Sequence, residues 1–175
     1  MTMDEKSLVE LISKELRGVI NEDFPIAAGV DYEIDREYDI YAFIARNMYW
    51  LKKLGVRILF HHKIDDIGHI DILFTRNSMI LVGVEVKVWR GNDKVEDVID
   101  DFKRCRLLLQ NYTDKCFVID NTHGCEISNE QLLRDRELIE EADLVKEGSI
   151  EILGRDMGEY WTDDFKKYHK SFKKK

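Results

Sequence analysis

Ile80 to Trp89 reads Ile-Leu-Val-Gly-Val-Glu-Val-Lys-Val-Trp, a run so rich in β-branched and apolar residues that it suits a strand covered on both faces. Side chains alternate along a strand, so Glu85 and Lys87 emerge on one face while Val84, Val86 and Val88 emerge on the other. A second apolar segment, His69-Ile-Asp-Ile-Leu-Phe, carries Asp71 fourteen residues before Glu85. Charges inside such strands are costly to desolvate unless something compensates them. A divalent cation held by Asp71 and Glu85, with Lys87 directed at the same substrate oxygen, would compensate and suits phosphodiester chemistry. A cross-strand ion pair on an exposed edge is the purely structural alternative.

The surrounding pattern sets the architecture. Val56–Lys63 reads as a strand, Asp65-Asp66-Ile67-Gly68 as a turn and His69–Thr75 as the next strand. Arg76-Asn77-Ser78 turns the chain into Met79–Trp89, which completes an antiparallel meander. Residues 4–20 carry the helical stripe Leu8, Val9, Leu11, Ile12, Leu16, Val19 and Ile20, with Asp4 placed to cap it. Residues 21–34, with Pro25 and Gly29, form a connection with room for a short strand. Asp35 opens a helix that runs to Leu54 and stops at Gly55, its stripe formed by Ile40, Tyr41, Ile44, Met48 and Leu51. Glu37 sits near the same face at the N-terminal end, where an acid either serves the helix dipole or points into a site. Asn92 or Asp93 caps a helix to Gln110, Lys115–Asp120 is a strand, Asn129–Val145 a helix, and Ser149–Leu153 a last strand. This order predicts an α/β fold, a mixed sheet flanked by helices with an α-β-β-β-α-β core and an extra N-terminal helix. The boundaries expected are 1–34 for that helix and its connection, a candidate dimerisation element, 35–155 for the core, and 156–175 for a basic tail.

Composition narrows the setting. The 175 residues carry a net charge of −8, which argues against a protein that coats nucleic acid. The charge is uneven: residues 1–41 hold 11 acidic and 4 basic side chains, whereas Asp164–Lys175 holds one acid and six lysines. Cys105, Cys116 and Cys125 are odd in number and form no Cys-x-x-Cys pair, which points to reduced, buried thiols. No apolar run approaches the ~20 residues that span a bilayer, and the N-terminus lacks the pattern of a signal peptide. A cytoplasmic protein without a membrane segment is expected.

Asp71 followed by Glu85-Val86-Lys87, on the second and third strands of the core, with Glu37 on the preceding helix, resembles the PD-(D/E)XK or restriction-endonuclease-like nuclease superfamily. The resemblance covers residues 35–121 and looks most like the archaeal Holliday-junction resolvase and Mrr-type branches, which also carry an early helical Glu. It implies Mg²⁺ or Mn²⁺ held by Asp71, Glu85 and the backbone carbonyl of Val86. Glu37 would complete the site or hold a second cation, and Lys87 would activate water or stabilise charge. It also implies DNA as the substrate and a homodimer whose two sites address two strands. Ile70 stands where the signature has Pro. The helix after the third strand offers Lys103, Arg104 and Arg106 but no Gln-x-x-x-Tyr element. The competing expectation is a non-catalytic descendant of the fold that binds a protein or nucleic-acid partner.

Other candidates read as structural. His61 and His62 are adjacent on a strand and face opposite sides, so they cannot both join one site; either of them, or His69, can approach a scissile phosphate, with surface or packing roles as the simpler reading. His123-Gly124-Cys125 has no evident acidic partner and reads as a loop; Trp89-Arg90-Gly91 can offer a stacking or phosphate contact, with Trp89 capping the core as the simpler reading.

Overall fold

The computed structural model describes residues 3–23, 37–88, 95–121 and 138–154. Helix α1 spans Glu5–Arg17, and the Asp4 side chain caps it by accepting the Ser7 backbone N–H at 2.7 Å. It continues as a π-helical turn over Gly18–Asp23, past the end expected at residue 20. Helix α2 spans Glu37–Met48 and tightens into a 3₁₀ segment, Tyr49–Leu54, before Gly55 at φ 77° ends it. The predicted α2 start at Asp35, the helix starts near Asn92 and Asn129, Trp89-Arg90, the His123 loop, Cys125 and the basic tail lie outside the described residues.

Strands β1 (Arg57–Ile64), β2 (Gly68–Arg76) and β3 (Met79–Val88) form the predicted meander. Asn77 and Ser78 both take positive φ in the two-residue turn between β2 and β3, which matches the twist of the flanking strands. Helix α3 (Val95–Asn111) leads to β4 (Cys116–Asn121), and α4 (Ile139–Glu147) leads to β5 (Ile150–Leu153). β4 and β5 add in parallel, giving a mixed five-stranded sheet in the order β1-β2-β3-β4-β5 with helices around it. β3 is therefore central, and Leu81 to Val86 are buried. An exposed-edge ion pair at Glu85 is ruled out by this position.

Two apolar layers hold the sheet. Ile72, Phe74, Val82, Val84, Val86 and Phe117 pack with Leu8, Ile12 and Leu16 of α1 and Ile40 and Ile44 of α2. Leu73, Cys116, Val118 and Ile150 pack with Phe102, Cys105 and Leu108 of α3 and Ala142 of α4. Leu8, Ile12, Leu16 and Ile20 are 0% exposed. The stripe of α1, a candidate dimerisation element from sequence, thus packs into the chain's own core. Cys105 and Cys116 are buried free thiols, as expected.

Gly83 sets how closely α3 approaches the sheet. A Cβ at this position would stand 2.6 Å from Leu108 Cδ1 and 3.3 Å from Cys116 Sγ. Leu108 lies one helical turn beyond Arg104 and two beyond Asp101, so this contact also fixes where those side chains meet β3. Gly83→Ala is expected to destabilise the protein by about 1–3 kcal/mol through overpacking. An unchanged thermal midpoint would show that α3 has room to retreat.

Candidate active site

Strand pairing brings the predicted residues together. Ile72 of β2 pairs with Val84 of β3, so the next rung places Asp71 beside Glu85. Asp71 Oδ2 accepts the Val86 backbone N–H at 2.7 Å, which locks the carboxylate across the two strands. Glu37, Asp71, Val86 and Lys87 line one cavity of about 260 Å³, together with Asp100, Asp101 and Arg104 of α3. Among the described residues the walls therefore carry four acids and two cations, with one apolar residue.

Glu85 does not line this cavity. It is 0% exposed and lies behind the wall, where its Oε1 accepts Arg104 Nε at 2.8 Å. The same guanidinium pairs with Asp101 Oδ1, one turn back on α3. Arg104 and Asp101 were not singled out as site residues from sequence. Their signal was present: spaced i, i+3, they flank the stripe of Cys105 and Leu108 that packs on β3.

Burial first, and then the charge of Asp71, pushes the Glu85 carboxyl well above the ordinary carboxylate range; Asp101 adds to this and Arg104 opposes it. Burial likewise raises Asp101, with Arg104 and Lys87 opposing and Asp71 and Glu37 adding to the rise. Tyr41 is pushed up by burial and by Asp71; its buried hydroxyl lies close to that carboxylate without a hydrogen bond of good geometry. Glu85 Oε2 and Asp101 Oδ2 are also buried without a hydrogen-bond partner among the described residues. Such orphaned oxygens are costly, and a bound cation is one way to satisfy them.

Among the described residues, no three His, Cys, Asp or Glu side chains already converge as a metal cage. Mg²⁺ does not require one, since it keeps several waters and takes one or two carboxylates. The oxygen donors of Asp71 and Glu85 fit that chemistry, and Glu37 from α2 reaches the same cavity. His61 and His62 are both exposed; His61 joins the Tyr38 and Tyr41 rings beside the site and His62 does not.

No protein-family model and no curated protein matches the chain. Among solved structures, a repair endonuclease from Pyrococcus abyssi is similar, with a TM-score of 0.40 and 15% identity. The match covers 70% of this chain and 47% of that one, so the chain spans about half the neighbour's length. A likeness this distant assigns neither activity nor residues, and the α/β fold rests on the topology described above. No described helix is long and apolar enough to cross a membrane.

Proposed function

We propose that this chain is a Mg²⁺- or Mn²⁺-dependent nuclease that hydrolyses phosphodiester bonds in DNA. The observation that carries the reading is the convergence of Asp71, Lys87 and Glu37 on one charged cavity, with Glu85 and its unpartnered oxygen directly behind it. Asp71 and Glu85 would hold the cation, with the Val86 carbonyl and Glu37 completing its oxygen shell. When bound, the cation supplies charge neutralisation at the phosphate and acidifies its own water. The chain's residues do the rest. Asp71, fixed by the Val86 N–H, and Glu85, fixed by Arg104, sit on neighbouring strands, so the sheet and not a loop sets their spacing. Lys87, two residues along β3, stabilises negative charge on a non-bridging oxygen or orients the attacking water. Two such sites on a homodimer would address two strands; with the α1 stripe spent in the core, this part rests on the family resemblance alone.

One observation favours a second reading. Arg104 already occupies Glu85 and Asp101, and a closed network of this kind suits a non-catalytic module that binds a nucleic acid or protein partner. A panel of labelled duplex, single-stranded and four-way-junction DNAs separates the two. The nuclease cleaves with Mg²⁺ or Mn²⁺ and not in EDTA, and Lys87→Ala slows it by roughly 10²–10³-fold. A folded protein that cleaves none of them is the binding module.

A further inference from the structure

Next to the cavity-lining Glu37 of α2 begins an aromatic shoulder that the chemistry above does not use. Tyr38 and Tyr41 of α2 meet edge to face with ring centroids 5.6 Å apart. The His61 ring of β1 lies 5.7 Å from Tyr38 and 5.2 Å from Tyr41, and Phe60 is 5.7 Å from Tyr41. Tyr41 is the buried hub, 4% exposed, whereas Tyr38 is 62% and Phe60 38% exposed. These are rings turned to solvent around an anchored one, with Tyr38 next to Glu37 in sequence and Tyr41 close to Asp71.

The backbone is bent to make this surface. His61 takes φ 48°, an uncommon conformation for a residue with a Cβ. The β1–β2 pairing runs Phe60↔Ile72 and then His62↔Ile70, omitting the rung where His61 would face Asp71. The kink sits opposite the site's own carboxylate and turns the imidazole toward the tyrosines. Strain placed there is a reason to look for a ligand.

The chemistry of the two surfaces divides a nucleotide between them. Among the described residues the cavity walls are nearly all charged, which suits a phosphate and its cation, and none of them offers an aromatic face to a base. The aromatic shoulder offers the reverse. We propose that Tyr38 and His61, seated on Tyr41, stack an unpaired base of single-stranded DNA and so place the adjoining phosphodiester over the Asp71 cavity. The proposal rests on the nuclease reading and narrows its substrate to DNA with an unpaired nucleotide at the cut, such as a single strand, flap or frayed end. Stacking on aromatic side chains tolerates any base, so no sequence preference is expected from this contact.

The test is binding of a short oligothymidylate carrying one 2-aminopurine, with Ca²⁺ replacing Mg²⁺ and again in EDTA, followed by both Kd and fluorescence. Tyr38→Ala is expected to raise Kd about 5- to 100-fold and to abolish the 2-aminopurine quenching that stacking produces. Tyr38→Phe keeps both signals, because the ring and not the hydroxyl carries the contact. Tyr112→Ala, at an exposed tyrosine just past the C-terminal end of α3, serves as the control. Tyr38 is largely solvent-facing, so its loss leaves the fold intact. Unchanged Kd and fluorescence in Tyr38→Ala would overturn the proposal, as would failure of the parent protein to bind the strand. If the strand stacks but is never cleaved with Mg²⁺, the nuclease reading falls and the platform stands. If it is cleaved and Tyr38→Ala stacks as before, the platform alone falls.

Discussion

Glu85→Gln is expected to reduce metal-dependent cleavage by about 10³-fold or more while making the metal-free protein more stable. The two effects have one cause. Glu85 is fully buried on the central strand, and its folded carboxyl is raised by burial and by Asp71. A carboxyl that binds its proton more tightly in the folded state contributes stability that is complete below the unfolded pKa. That contribution is lost as pH rises through the folded value. At neutral pH and above, the parent therefore bears the strain of a buried acid beside Asp71 and Asp101. Gln has nearly the same shape, its carbonyl still accepts Arg104 Nε, and it carries no charge. The gain expected in EDTA is about 1–2 kcal/mol, a rise in Tm of about 2–8 °C at this chain length. The gap between variant and parent should be small in the ordinary carboxylate range and widen as pH rises above it, following the direction of the Glu85 shift. Melts in EDTA across that range decide the matter. A variant less stable than the parent at every pH would show that Glu85 is a structural ion-pair member whose charge the fold needs.

This opposition explains which parts of the protein were legible in its sequence. β3 declared itself, because ten residues of nearly unbroken apolar and β-branched character suit an interior strand. The two charges within it stood out against that background, and the meander followed from turn residues such as Asn77 and Ser78. Asp71, Lys87 and Glu37 accordingly appear together at the cavity where they were expected. What covers α1 was not legible, because an amphipathic stripe says that a face is covered and not by what. Here the cover is the chain's own sheet, with Ile72, Val84 and Phe117 against Leu8 and Leu16. Arg104 was seen but given no partner. Which cation meets a buried acid depends on the depth at which a helix crosses a strand, and that depth is set at Gly83 by a contact 25 residues away, with Leu108. The rung omitted at His61 was likewise invisible, since nothing in His61-His62 marks a change of backbone hand.

Arg104→Gln is expected to act in the opposite sense, destabilising the metal-free protein and making its stability depend on a divalent cation. Arg104 is a positive charge that meets both Glu85 and Asp101; removing it leaves two buried acids with Lys87 as the remaining cation among the described residues of the cavity wall. Breaking a buried pair from one side is costly because the other charge stays behind. Its side chain keeps 31% of its surface exposed, so solvent screens part of the loss, and about 2–3 kcal/mol is expected, or a fall in Tm of about 4–12 °C. If the carboxylates form a cation site, Mg²⁺ or Mn²⁺ replaces the missing countercharge. A ligand at 100 times its Kd contributes about 2.7 kcal/mol, enough to restore most of the fall. The parent gains less, because its cation must compete with the guanidinium for Glu85. A Glu85→Gln/Arg104→Gln pair closes the cycle: with the buried acid neutralised, losing Arg104 costs less than it does alone, and the metal rescue shrinks with it. Thermal melts of the four proteins with and without Mn²⁺ read these terms without reference to cleavage. A large loss in Arg104→Gln that no divalent cation repairs would assign the network to structure and favour the binding module.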